Sequence, residues 1–329
     1  MLIVLRRASL IPAILLACII SGLPLDPARA EFPERTVRML VNSVAGGGAD
    51  TLARLLADKM AIALKQPVVV DNRPGAGGNL AAELIARAAP DGYSILLADS
   101  GPLVINPALY PKLSFDPLKD FAPVSRVASF PVIILAHPNL GVSTLGEFIA
   151  KAKTMPGKID YASTGIGSPQ HLAAEMLRSA AGLDMVHVPY RGGAPAVVDL
   201  LAGRVPLGFI GLPPTAQYVR GGELRGLAIT TAERSAVVPQ VPTVAESGFP
   251  GYSAAVWFGI VAPRGTPSAV VATLNGAVNE ALSATDTKAR LAELGYAAEP
   301  STRDAFASYL AEETKRWGAA VKSSGARVD

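Results

Sequence analysis

The chain has 329 residues and a single cysteine, Cys18, which lies ahead of a small-residue cleavage pattern at Ala28-Arg29-Ala30. Removal of that leading segment leaves no thiol, which excludes disulfides, thiol nucleophiles and cysteine-ligated metals from the remainder. Charge is also scarce. Charged residues make up 17% of the chain against 50% hydrophobic, a balance that a disordered protein does not show. Neither sign dominates: Arg6, Arg7, Arg29 and Asp26 fall in the first thirty residues, so the rest carries 27 basic and 26 acidic side chains. A nucleic-acid partner is therefore not expected. Aromatic residues are few (6%), while 31 Gly and 27 Pro rule out a coiled coil and point to many tight connections between short elements.

The motifs of common enzymes are missing too. There is no phosphate-cradling Gly-x-x-x-x-Gly-Lys-Ser/Thr, no Gly-x-Ser-x-Gly elbow and no His-Glu-x-x-His. His137, His171 and His187 lack metal-ligand spacing. Gly75-Ala76-Gly77 begins like a dinucleotide fingerprint, but Leu80 stands where a third small residue belongs. The expectation is a protein without catalysis, metal or cofactor. A hydrolase using Ser168 and His171 stays open only as a minor alternative, since two residues three apart on one helix do not by themselves make a nucleophile and base.

What is present begins with Met1 to Ala30: Arg6-Arg7, the apolar stretch Leu10 to Ile20, then Ala28-Arg29-Ala30. This pattern reads as a secretory signal peptide, too short in its apolar part for the roughly 20 residues of a spanning helix. A soluble periplasmic protein is expected. Membrane anchoring, lipid attachment at Cys18 and twin-arginine export are weaker readings of the same segment.

From Val37 onward, short β-rich runs alternate with helical ones, which means βαβ units and a mainly parallel sheet. Strands are expected at Val37 to Val41, Val68 to Asp71 and Tyr93 to Ala98, with helices at Asp50 to Leu64 and Asn79 to Ala88. The succession restarts at Val132 to His137, with helices near Leu145 to Lys153 and Pro169 to Ala181. Further strands are expected at Ile159 to Ala162, Met185 to Val188, Val205 to Ile210 and Leu224 to Thr230. Two α/β lobes follow, residues 31–128 plus 256–329 and residues 129–255. Arg126 to Pro138 and the β-prone Tyr252 to Pro263 would cross between them as a hinge. Amphipathic helices close the chain at Ala269 to Leu282 and Asp304 to Val321.

Ligands of such folds collect at the carboxyl ends of parallel strands. The first turn there contains Ser43, Val44, Ala45, Gly46, Gly47 and Gly48, and its glycines bring backbone amides close to a ligand at a helix start. A helix terminus stabilises an anion by roughly 0.3–1 kcal/mol, more when shielded from water. The matching turn runs from Ser163 through Thr164, Gly165, Gly167 and Ser168 to His171; Ser168-Pro169 reads as an N-cap with proline in the first helical position. Its hydroxyls are available as donors, and His171 reads equally as a donor to an anion or a plain capped histidine. Asn79, Ser100 and Tyr190 lie near other strand ends and complete the candidate set. Glycine needed only for turn geometry, and a core position for the Tyr190 ring, are the plainer readings.

Several ordered blocks resemble the Bug-type solute receptors of tripartite tricarboxylate transporters. They are Ala45-Gly46-Gly47-Gly48-Ala49-Asp50, Asn72-Arg73-Pro74-Gly75-Ala76-Gly77-Gly78-Asn79, Pro90-Asp91-Gly92-Tyr93, Asn106-Pro107-Ala108-Leu109-Tyr110, Asp120-Phe121-Ala122-Pro123, His187-Val188-Pro189-Tyr190-Arg191-Gly192 and Val241-Pro242-Thr243-Val244-Ala245-Glu246-Ser247-Gly248-Phe249-Pro250-Gly251-Tyr252. The resemblance implies a two-lobe, type II periplasmic-binding-protein-like fold that clamps a small organic acid between Ser43 to Gly48 and Ser163 to His171, with ordered waters bridging a carboxylate. It also implies two integral membrane subunits of an ion-coupled transporter as partners; the receptor is expected to be a monomer. The same fold serving as a ligand sensor for a signalling partner is the alternative. Two departures from the family pattern bear on the ligand: Asn42 and Ser43 stand where Pro and an aromatic ring are usual, and Ile210-Gly211 replaces a polar pair.

Overall fold

The computed structural model describes residues 32–328; the expected signal segment, its cleavage site and Cys18 lie outside the described residues. Among these residues no helix is long and apolar enough to cross a membrane.

The first βαβ succession gives β1 (Val37–Val41), α1 (Gly48–Leu64), β2 (Val68–Asn72), α2 (Asn79–Ala86) and β3 (Ser94–Asp99). β1 lies between β2 and β3 and is parallel to both. α1 forms because its apolar positions recur at helical spacing, burying Leu52, Leu56 and Met60 completely, each worth about 1.5–3 kcal/mol relative to exposure. It stops where Lys65 enters the left-handed region at φ 54°. After β3 come a turn of π-helix at Gly101–Ile105 and two single-turn helices, α3 (Asn106–Leu109) and α4 (Pro117–Asp120).

β4 (Phe121–Ala136) is the longest strand. Its first part pairs antiparallel with β9 (Ala255–Pro263), and its last five residues pair with β7 (Leu207–Gly211). The second succession supplies α5 (Leu145–Thr154), β5 (Asp160–Ser163), α6 (Pro169–Ala181), β6 (Val186–Pro189), α7 (Gly193–Leu201), α8 (Ala216–Arg220) and β8 (Arg225–Ile229). β5 is parallel to β6 and β7. The sheet order is β2-β1-β3-β9-β4-β7-β5-β6, with β8 and the two-residue β10 (Ala297–Ala298) paired to β4 off that path. Parallel strands at both ends are thus joined by antiparallel crossing strands, so the sheet is mixed where a mainly parallel one is expected from the sequence. α9 (Ser268–Ser283), α10 (Thr285–Glu293) and α11 (Arg303–Ser324) complete the chain. α9 packs on α1, and α11 on α6.

One buried hydroxyl fastens the place where β4 leaves one set of strands for the other. Thr230, fully buried, accepts from the Val132 N–H at 3.0 Å and lies within hydrogen-bond reach of the Ala254 carbonyl. Its own backbone bonds Val132 O and receives Ala254 N–H.

Candidate functional site

The carboxyl ends of β1, β2 and β3 meet at the first glycine turn. Gly46 adopts φ 78°, a conformation open to glycine at little cost. Its N–H donates to Asp50 Oδ2 at 2.9 Å, and Arg54 Nε donates to the same oxygen at 3.0 Å. These bonds hold the Asp50 carboxyl below the usual carboxylate range, the Arg54 bond most of all and against the penalty of burial. Asp50 is therefore a brace for the turn rather than a free group. The N–H groups of Ala45, Gly48 and Ala49 find no acceptor among the described residues. Gly48 has no room for a side chain, because a Cβ there would meet the Tyr296 hydroxyl. Val44 and Ala45 are exposed and Ser43 is half-buried, its Oγ without a partner.

At the neighbouring strand ends, Asn72 Nδ2 donates to Ser43 O at 3.2 Å and Asn42 Nδ2 to Asp99 Oδ1 at 3.2 Å. Gly101 N–H reaches the same Asp99 oxygen at 2.9 Å. Asn79 Oδ1 is taken by Asn106 Nδ2 at 2.6 Å, and Asn106 also donates to Gly77 O. Ser100 is fully buried, and its hydroxyl has no partner.

The second turn is built differently. Ser168 caps α6 as its sequence implies, accepting His171 N–H at 3.1 Å with Pro169 opening the helix. The His171 ring is buried, and its Nδ1 accepts the Gly167 N–H at 3.0 Å, which fixes the proton on Nε2. The ring stacks on His187, centroids 3.9 Å apart, and burial depresses its pKa despite the Glu175 charge. His187 Nε2 lies 2.7 Å from Ser163 Oγ. Thr164 Oγ1 donates to Gln170 Oε1 at 2.9 Å, and Tyr190 OH to Asp199 Oδ2 at 2.8 Å.

The hydroxyls of Ser163, Thr164 and Tyr190, available as ligand donors on sequence grounds, are thus spent inside the protein, and Ser168 Oγ is engaged as the acceptor of the cap. His171 braces the backbone and takes no proton from Ser168. Gly165 N–H goes to Ser163 Oγ at 3.2 Å. What remains open at this turn is backbone: the N–H groups of Thr164, Ile166 and Gln170 have no acceptor among the described residues.

Two contacts bring the turns to one region. Gly167 lies so close against Leu109 of α3 that a Cβ would overlap it, and α3 begins at Asn106, the residue that holds Asn79. Tyr296, against Gly48, packs edge-on to Phe130 at 5.2 Å, and Phe130 covers Gly211 at the end of β7. Burial pushes the Tyr296 hydroxyl up to about 12. Asp99, Tyr296 and His187 belong to this region and are missing from the sequence-derived set. Two surface cavities of about 480 and 620 Å³ lie elsewhere, one lined by Thr144, Arg225 and Gln240, the other by Lys119, Phe121 and Arg303. Neither contains a candidate residue; unpaired amides and orphaned polar atoms are the stronger sign of a ligand than concavity at these places. No group of three or more His, Cys, Asp or Glu side chains suited to a metal occurs among the described residues.

Comparison with known proteins identifies the relatives of this chain. The model of the tripartite tricarboxylate transporter family receptor matches residues 52–326. Protein BugT of Bordetella pertussis is 36% identical over 309 residues, covering 94% of this chain and 95% of BugT. A Rhodopseudomonas palustris protein solved with adipate superimposes with a TM-score of 0.84 at 34% identity, covering 91% of this chain and 100% of that one. MatC from Rhodopseudomonas palustris with bound malate gives 0.79 at 36% identity, covering 88% and 100%.

Proposed function

The chain belongs to the tripartite tricarboxylate transporter receptor family, a family of receptors rather than enzymes, and from that premise we propose that it is a periplasmic receptor that captures a small organic acid between two lobes and delivers it to the membrane subunits of a secondary transporter. The observation that carries the reading is the pair of turns at which the amides of Ala45, Gly48 and Ala49 on one side, and Thr164, Ile166 and Gln170 on the other, stay unpaired among the described residues. Such amides at helix starts favour an anion. Adipate and malate, bound by the two structural relatives, are carboxylates.

We take the lobes as residues 31–128 with 256–329, and 129–255. Ser43 to Gly48 with Asn79 and Ser100 supply one wall, and Ser163 to His171 with Tyr190 the other. Recognition is by backbone more than by ion pairing, and closure is driven by contacts made to both walls at once. A thermal-shift screen of mono-, di- and tricarboxylic acids tests this. A bound acid at 100 times its Kd stabilises the protein by about 2.7 kcal/mol, so at least one acid should raise the unfolding midpoint by several degrees. A screen in which neutral sugars raise it and no acid does would refute the reading.

A further inference from the structure

The three buried acids among the described residues are each paired with an arginine. Asp50 is paired with Arg54 at 3.0 Å, Glu175 with Arg178 at 2.7 Å and Glu313 with Arg316 at 2.8 Å. Asp99, half-buried at the end of β3, makes no ion pair among the described residues, and none of their charged side chains acts on it. Its carboxyl is driven above the ordinary range by burial, against the pull of the Gly101 and Asn42 donors, although the residue as a whole is not closed to solvent. A partly desolvated carboxyl without a counter-charge is costly to ionise, and an unpaired, perturbed acid beside a candidate ligand site is a mark of function.

The surroundings narrow what could satisfy it. Oδ1 of Asp99 is held by Asn42 Nδ2 and Gly101 N–H, while Oδ2 has no protein donor and is not sealed from solvent. Asn42 is oriented by that bond, and its Oδ1 is buried and unpartnered. The Ser100 hydroxyl beside them is in the same state. Gly77, Gly78, Gly101 and Pro102 line the same strand ends and bring no side-chain donor. Two oxygens that can only accept, Asp99 Oδ2 and Asn42 Oδ1, and a hydroxyl able to accept, Ser100 Oγ, thus stand without a donor at the ends of β1 and β3. A carboxylate would be repelled there. A protonated amine has three N–H donors and the missing positive charge.

We propose that Asp99 is a specificity-determining residue that accepts the ammonium group of the ligand, so that the receptor selects amino acids over carboxylic acids that lack an amine. This rests on the receptor reading above: the carboxylate of the ligand goes to the amides at the helix starts, and Asp99, with Asn42 and Ser100, reads the amine.

Calorimetric titration of the full chain with matched acids tests the assignment: L-aspartate against succinate and malate, and L-glutamate against glutarate. The amino member should bind at least about tenfold more tightly than its deamino partner. Truncating one member of a buried charged pair weakens binding strongly, so Asp99→Asn should weaken the amino acids about a hundredfold and leave succinate and glutarate unchanged or improved. The unaltered protein supplies a second readout that does not depend on the variant folding. Because Asp99 must be ionised to hold the amine, amino-acid affinity should rise with pH through its raised pKa and level off above it.

Equal affinity for succinate and L-aspartate, with Asp99→Asn leaving the ratio intact, overturns the proposal while the receptor reading stands. Affinity for succinate that strengthens on acidification overturns it as well, since Asp99 would then be a protonated donor to a second carboxylate. Absence of binding by every acid of both classes removes the proposal and the receptor reading together.

Discussion

The His171 and His187 rings carry out at residue level what a rigid turn requires. A neutral His171 accepts the Gly167 N–H at 3.0 Å, and a protonated ring could not, because both nitrogens would then be donors. His187 faces it across 3.9 Å. Burial, and then the His171 charge, push the His187 pKa down to about 3, so both bases resist protonation in the folded protein. Unfolding releases them to the ordinary value of about 6.5. The unfolded chain therefore binds more protons below that pH, and the stability these two groups confer is full above about 6.5 and lost as pH falls toward their folded values. The loss is at most about 1.4 kcal/mol per pH unit for each ring. Asp50 and the other acids with lowered pKa act in the same direction, but below the usual carboxylate range, while Asp99, whose pKa is raised, acts in the opposite direction, and its effect cancels when two proteins that both carry it are compared. His187→Phe keeps a flat ring against His171 and removes one of the two ionisations. Urea unfolding near pH 7 and near pH 5 should show the parent losing about 1–2 kcal/mol more than the variant; equal losses would mean the pair does not govern this window.

The elements show which interactions local sequence decides. α6 has the bounds its sequence implies, since Ser168-Pro169 at the start and Gly182 at φ 63° at the end are settled within a few residues. α7 does not announce itself: Gly192-Gly193 followed by Pro195 reads as loop, yet proline is tolerated in the first turn of a helix and the rest is apolar at helical spacing. β4 is longer than expected because Pro123 and Pro131 look like breaks. The strand absorbs the first with register shifts at Pro123/Ser125 and Arg126/Ala128, the setting in which sheets accept proline. At the site, both glycine turns are legible as backbone, whereas the Asn42–Asp99 bond and the Tyr296 approach to Gly48 join residues 57 and 248 positions apart, and nothing local marks them. Thr230 is of this second kind. Its hydroxyl ties β4, the end of β8 and the approach to β9. Thr230→Val keeps the shape and leaves the buried Val132 N–H without that acceptor, so the cost should be about 1–3 kcal/mol in denaturant unfolding. A variant as stable as the parent would show that the crossing strands need no such fastening.

At the scale of the whole molecule, the two sets of parallel strands are not joined by a slack linker. β4 and β9 pair over nine registered positions, and β4 then continues directly into pairing with β7 and β8. α11 packs on α6, Arg316 Nη1 donates to Ser253 O at 2.7 Å, and Tyr252 OH to Ala173 O at 2.6 Å. Unfolding either set alone would expose the strand edges and helix faces of the other, which penalises any half-folded state. One cooperative transition is expected, although chains of this length often unfold through intermediates. The sequence offers an internal probe, because both tryptophans lie on one side of the crossing. Trp257 on β9 and Trp317 on α11 donate to the same Glu313 carboxylate at 2.9 Å each, and residues 132–254 contain none. Tryptophan fluorescence therefore reports that side, and far-ultraviolet circular dichroism reports the whole. Their urea midpoints should coincide, and an added acid that binds across the turns should shift both by the same amount. A fluorescence midpoint separated from the dichroism midpoint would show instead that the halves unfold independently and that the crossing strands transmit no stability between them.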